Sequence, residues 1–468
     1  MRLFTTGVWV HSVYLLEKFR PNTRYRILYT VSILCLIFLV AKTVSAAAVT
    51  PCVDGSAETY PCHNVALLAH LPLTAIGAED NSITGSDHWY WRDVASGRDF
   101  VLFGLSNGVS FIDISNPQAP VYLGKLPSHS GSSRYRDIKV YNDHAYIIGD
   151  QIDDHGMQIF DLTQLRPITT TTTLTATSHY DGFGAAHNFW INEATGFAYV
   201  LRADHCVGTQ MLDLRTPTAP VDVGCFADDG AASDAECVLY AGSDTTYNGR
   251  EICFTGSDES WTIADVTDKN APVQITSETY PGIRRAHQTV LSADHNYLLL
   301  SDTMDEAMDG VQTTLYAWDI ADLDNPVYLG VYHYNTNATD HNIYVKGDYS
   351  YQVNWKAGLR VLDISGLPNL AFDEVAYFDV APNLDTPGMG GAWGVIPWWD
   401  DGIVTVSSLE GGLFVLRVNL PVRSSVGLVA ISAETFSANS LLLTFAGLAL
   451  ITGRHVIDWK SKCGMRKV

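Results

Sequence analysis

Six times, at intervals of 44 to 54 residues, the chain writes an apolar strand that ends in aspartate followed by another apolar residue. The copies are Ser110-Phe111-Ile112-Asp113-Ile114, Gln158-Ile159-Phe160-Asp161-Leu162, Gln210-Met211-Leu212-Asp213-Leu214, Thr262-Ile263-Ala264-Asp265-Val266, Tyr316-Ala317-Trp318-Asp319-Ile320 and Arg360-Val361-Leu362-Asp363-Ile364. A seventh, Phe414-Val415-Leu416-Arg417-Val418, keeps the strand and loses the acid. A period near 50 with only strand-like material inside each unit marks a radial array of small sheets, one four-stranded blade per repeat. The expected fold is all-β: a seven-bladed β-propeller.

Several copies run on into Asn-Pro or Thr-Pro and then Val-x-Leu-Gly, as in Asn116-Pro117 with Val121-Tyr122-Leu123-Gly124 and Asn325-Pro326 with Val327-Tyr328-Leu329-Gly330. Proline has no N–H for a central strand, so this reads as a turn followed by an outer edge strand. The seventh unit ends at Leu420-Pro421 without such a strand. Val65-Ala66-Leu67-Leu68-Ala69-His70-Leu71-Pro72 imitates it at the other end of the chain and is predicted to close the ring, since an unclosed propeller leaves two open sheet edges.

Five segments follow. Residues 1–46 hold a long basic region, the apolar run Ile27 to Val40 and Val44-Ser45-Ala46, which reads as a signal peptide or signal anchor. Residues 47–62 form an N-terminal extension, 63–420 the propeller, 421–439 a linker, and 440–468 an apolar segment with a basic tail that reads as a surface anchor or sorting signal. Residues 1–46 carry six basic and one acidic side chain and 454–468 carry five and one, so the segment between holds 18 Lys and Arg against 49 Asp and Glu. Such a surface repels nucleic acid and anionic lipid, and leaves membrane contact to the terminal segments. An exported or cell-surface, monomeric propeller is expected. Its six cysteines between the termini then pair by proximity: Cys52 with Cys62, Cys206 with Cys225, and Cys237 with Cys253.

Before each strand-ending aspartate lies the innermost strand of its unit, which faces the central channel. Aligning these strands places Arg136, His187, Asp234, His287, His341 and Trp393 on the axis, with Trp91 or Arg92 in the first unit. His187, Asp234, His287 and His341 suit a divalent metal, and zinc or calcium is the cofactor class they allow. The alternative is a set of polar groups that satisfy one another at a crowded axis. Asp302, Asp305, Glu306 and Asp309 have the oxygen-rich composition of a calcium loop without EF-hand spacing, and read as a solvated acidic loop. Asp150, Asp153 and Asp154 read the same way.

The repeated Val/Leu-x-Val/Leu-Asp-Ile strand resembles the LVIVD repeat. The ordered series Arg136-Asp137-Ile138-Lys139-Val140-Tyr141, Gly156 to Arg166, Gly249-Arg250-Glu251-Ile252-Cys253-Phe254 and Gly411 to Leu416 resembles the choice-of-anchor B family of bacterial surface proteins. That resemblance covers roughly residues 60 to 418 and implies a secreted repeat domain with a variable surface anchor, and no established activity. At Ala232-Ser233-Asp234-Ala235-Glu236-Cys237 the chain has serine where the family pattern has histidine, so a family-wide metal site is not carried over whole. Two function classes follow: a binding or adhesion module for an unidentified protein or carbohydrate ligand at the cell surface, and a metal-dependent extracellular hydrolase or lactonase using the channel residues.

Overall fold

In the computed structural model, residues 49–421 are described, and they form seven antiparallel sheets around one axis. The segments expected to be a signal (1–46) and an anchor or sorting signal (440–468) lie outside the described residues. Among those described, no helix is long and apolar enough to cross a membrane.

Blade one comprises Gly85–Asp93, Arg98–Leu105, Gly108–Asp113 and Val121–Pro127, and blade two Arg136–Tyr141, His144–Gly149, Met157–Asp161 and Ser178–Tyr180. Blades three to six begin with Asn188–Asn192, Ala232–Leu239, Ala286–Leu291 and Ile343–Lys346 and end with Val221–Phe226, Val273–Glu278, Val327–His333 and Asp373–Phe378. Blade seven is Ala392–Ile396, Ile403–Ser408 and Gly412–Val418, completed by Val65–Leu71 from the start of the chain. The first strands of consecutive blades touch all the way round, including blade seven against blade one. The ring is closed.

The aspartate of the repeat is a turn maker. In all six copies its Oδ1 accepts the backbone N–H two residues on, from Ser115, Thr163, Arg215, Thr267, Ala321 and Ser365 at 2.8 to 3.0 Å. This Asx turn reverses the chain toward the outer strand. The glycine of Val-x-Leu-Gly is needed where a neighbouring segment crosses the outer strand. A Cβ on Gly124 would lie 2.0 Å from the carbonyl oxygen of Thr172, and one on Gly224 would lie 1.9 Å from that of Lys269.

Two additions were not visible in the repeat. Thr172–Thr173, in the long connection before the last strand of blade two, pairs in parallel with blade one. The N-terminal extension is not a free appendage: Ser56–Ala57 and Tyr60–His63 form a hairpin, and Cys62 and His63 pair with Phe378 and Tyr377 at the rim of blade six. The core is divided between neighbouring blades. Phe254 and Trp261 of blade four, for example, pack in one cluster with Leu298 and Trp318 of blade five.

Three disulfides join Cys52 to Cys62, Cys206 to Cys225 and Cys237 to Cys253, the last across directly paired strands. The pairing is the expected one, and it marks an oxidising compartment.

Candidate functional site at the channel mouth

Strand pairing aligns the seven innermost strands residue by residue. The outermost axial layer consists of Ser86, Arg136, His187, Ser233, His287, His341 and Trp393, and the next layer of Asp87, Asp137, Asn188, Asp234, Gln288, Asn342 and Gly394. The sequence alignment is therefore corrected in two blades. Asp234 belongs to the second layer, and the residue that matches the histidines is Ser233. In blade one the match is Ser86, whereas Trp91 donates its indole N–H to Asp143 and Arg92 pairs with Asp99 and Asp400 away from the axis. The first strands of blades one, four, five and seven each contain a register irregularity at this layer, and in blade four the extra residue is Ser233, which stands where the family pattern has histidine.

Arg136, His187, His287, His341 and Trp393 all line one cavity of about 310 Å³, together with Tyr135, Arg285, Met304 and Trp355. Their environments differ. Arg136 turns away from the axis, and its guanidinium donates to the carbonyls of Leu105 and Ser106, to Ser128 Oγ and to His155 Nε2. Burial lowers its pKa to about 10. Nδ1 of His187 lies 2.8 Å from Asp150 Oδ2, so Asp150 holds a residue of the mouth from behind rather than standing free in a solvated loop. His287 and His341 stack with ring centroids 4.8 Å apart. His341 Nδ1 donates to the Trp393 carbonyl at 2.7 Å, and its ring also packs against Trp355. His287 Nδ1 is buried without a hydrogen-bond partner. Burial holds His341 near a pKa of about 3, while burial and then the neighbouring His341 hold His287 well below the usual range. Both rings are neutral at physiological pH.

As drawn from the sequence, the set His187, Asp234, His287 and His341 does not converge. No three of them bring ligand atoms within 4.8 Å of one another, a spacing that among the described residues is met by Asp244, Asp322 and Asp324.

The second layer carries the charge that sequence reasoning missed, although Arg136-Asp137-Ile138-Lys139 was already conspicuous. Oδ1 of each of Asp87, Asp137, Asn188 and Asp234 accepts the N–H of its next residue. Lys139 reaches into this layer, with Nζ 2.5 Å from Asp137 Oδ1 and 4.5 Å from the centroid of the Trp89 ring. Burial, then the charge of Asp137, pushes Asp87 up to about 7, and burial pushes Asp234 up to about 8 and Glu236 up to about 7.

These three carboxyls hold protons more tightly folded than unfolded, so the stability they contribute is present below their unfolded pKa and is lost as pH rises through 7 and 8. Burial depresses His88 to about 3 and His155 to about 4, which costs stability only below their unfolded value near 6.5. Above pH 6.5 the carboxyls dominate. Scanning calorimetry should show a loss of about 3 kcal/mol, or about 4 °C in Tm, between pH 6.5 and 8.5. A Tm that is level or rising over that range would show that Asp87, Asp234 and Glu236 ionise in the folded chain without cost.

An LVIVD repeat matches residues 339–374, which begin just before His341 and run through blade six. No curated protein matches the chain. Among solved structures, the chain is similar to a functionally unknown protein from Desulfotomaculum acetoxidans DSM 771, with a TM-score of 0.46 and 10% identity over 65% of this chain and 87% of that one. It is also similar to the computationally designed Ika8 protein, with a TM-score of 0.45 and 11% identity over 80% and 97%. A third is the Myceliophteria thermophila Cps50 (Swd1) β-propeller domain, with a TM-score of 0.44 and 10% identity over 68% and 93%. Likeness at this level carries no argument about activity, and the assignment of a seven-bladed propeller containing an LVIVD repeat rests on the strand order and the repeat match.

Proposed function

We propose that the chain is an exported, surface-displayed binding module of the choice-of-anchor B kind, and that its ligand enters the channel mouth between Tyr135, Arg285, Trp355 and Trp393. The observation that carries this reading is the composition of the cavity wall. Three aromatic rings stand beside two polar side chains still reachable from solvent, His187 and Arg285. A concave site with apolar faces and a few convergent polar groups is the usual form of a small-ligand site. Flat rings beside hydrogen-bond donors suit a saccharide ring, whose C–H face stacks while its hydroxyls bond. The three disulfides support export.

A glycan array probed with the full-length chain tests the reading. Arg285→Ala and Trp393→Ala should each weaken a positive glycan by tenfold or more. Trp398→Ala should leave it unchanged, because Trp398 lines a separate cavity at the far end of the same strands. Binding that survives both mouth substitutions, or no binding to any glycan or cell surface, would overturn it.

A further inference from the structure

Blades five and six bury an acidic cluster that the sequence presents as a solvated loop. Asp302, Asp305 and Asp340 are 0% exposed and Glu306 is 1% exposed. Among the described residues, no lysine, arginine or histidine forms a salt bridge with any of the four. Arg284, whose backbone amide touches Asp302, gives its guanidinium to Asp309. Carboxyls taken out of water with no counter-charge are strongly unfavourable unless a proton or a cation joins them.

The hydrogen bonds sort the four into two kinds. Asp302 is saturated: Oδ1 accepts the amides of Arg285 and Met304, and Oδ2 accepts the Tyr280 hydroxyl and the amide of Arg284. The other three each commit one oxygen to the scaffold. Asp305 Oδ2 accepts the Tyr316 hydroxyl, Glu306 Oε1 the amide of Asp340, and Asp340 Oδ2 the amide of Asp302. Asp305 Oδ1, Glu306 Oε2 and Asp340 Oδ1 are buried with no donor facing them; the Asp305 and Glu306 side chains lie within hydrogen-bond reach of each other, so a proton is shared between that pair unless a cation takes its place, and Asp340 Oδ1 has no partner of either kind. Buried acceptors are nearly always satisfied, so two acids facing each other and a third with an orphaned oxygen, all without a counter-charge, point to a missing partner.

We propose that Asp305, Glu306 and Asp340 hold a calcium ion between blades five and six, with Asp302 bracing the backbone around it. The donor set is all oxygen, which suits a hard cation that completes its shell with carbonyls and water, and offers no nitrogen or sulfur to select zinc. As placed, the three carboxyls do not all bring an oxygen within 4.8 Å of one another, so an ion shared by them is bridged in part by water. Met304 and Ala307 beside this cluster line the channel mouth, and Asp302 anchors the amide of Arg285. The ion therefore sets one wall of the cavity. The exposed trio Asp244, Asp322 and Asp324 is a different case: its carboxylates already accept from Leu323 N, Thr246 N, Asp324 N and the Tyr247 hydroxyl.

The test is calcium binding to the full-length chain after dialysis against EGTA, measured by calorimetric titration and by terbium luminescence sensitised through Tyr280 and Tyr316. The expected result is one calcium per chain at this site, a Tm raised by calcium, and at least a tenfold loss of affinity in Glu306→Gln and in Asp340→Asn. The double variant Asp322→Asn, Asp324→Asn should bind as the wild type does. The proposal is overturned if the wild type takes up neither calcium nor terbium, which would leave the cluster proton-bridged, or if only the Asp322, Asp324 variant loses binding. Where Glu306→Gln or Asp340→Asn fails to fold, the terbium signal of the Asp322→Asn, Asp324→Asn variant decides the matter, because Tyr247, bonded to Asp324, sensitises an ion held by the surface trio. Failure here leaves the glycan result standing, and the reverse also holds.

Discussion

Deleting residues 49–72 should convert the closed ring into an aggregating species and lower its Tm by more than 10 °C. The segment closes two sheets at once. Val65–Leu71 lies along Gly412–Val418, and the Tyr60–His63 strand lies against Asp373–Phe378, with Asp379 N–H donating to Pro61 and Asn419 N–H to Asn64. Tyr60 wedges between Phe378 and Phe414, and His70 stacks on Phe414 at 4.2 Å. Val65, Leu67 and Leu68 are almost fully buried, and losing three such side chains from the core costs roughly 5 kcal/mol or more before the exposed edges are counted. Those edges, on blades six and seven, are templates for pairing between molecules. Size-exclusion chromatography and a thermal scan measure the outcome. Leu67→Asp, which keeps the backbone in place, should lower Tm without the same aggregation. A truncated chain that stays monomeric and melts like the parent would show that closure contributes little.

Sequence legibility followed the range of the interactions. The strand-ending aspartates and the Val-x-Leu-Gly strands were readable because each answers a local demand: a carboxylate for an Asx turn, or a glycine under a crossing carbonyl. Each cysteine pairs with a near neighbour, and Val65-Ala66-Leu67-Leu68 copies the outer strands, so closure was readable as well. The axis was legible in composition but not in register. Blades five and seven carry the same irregularity as blade four, but there a histidine or tryptophan marks the layer, whereas Ser233 and Ser86 are small residues beside the acids Asp234 and Asp87 and give the alignment nothing to hold. Burial of the acids was invisible for another reason. Asp302, Asp305 and Glu306 look like a loop until Asp340, Tyr280 and Tyr316 arrive from other strands to enclose them. Arg136 shows the converse: the sequence puts it on the axis, and the carbonyls of Leu105 and Ser106, with Ser128 and His155, draw its guanidinium sideways.

Lys139→Met should be the most damaging single substitution at the axis, costing about 3–5 kcal/mol at pH 7.5. The lysine is the positive charge that works against the raised pKa of both Asp87 and Asp234, and it is bonded to Asp137. Methionine has similar length and can rest on the same Trp89 and Phe189 rings, so the change removes charge with little loss of packing. What remains is a set of buried aspartates facing one another with no cation among them. The penalty should therefore depend on pH. At pH 5.5 Asp87 and Asp234, whose pKa values are pushed up to about 7 and 8, are already protonated, and no charge is stranded on either. Chemical denaturation of parent and variant at the two pH values measures this, and the difference between them should shrink by half or more at the lower pH. An equal penalty at both would mean that Lys139 holds the axis through the packing of its methylenes over the rings rather than through its charge.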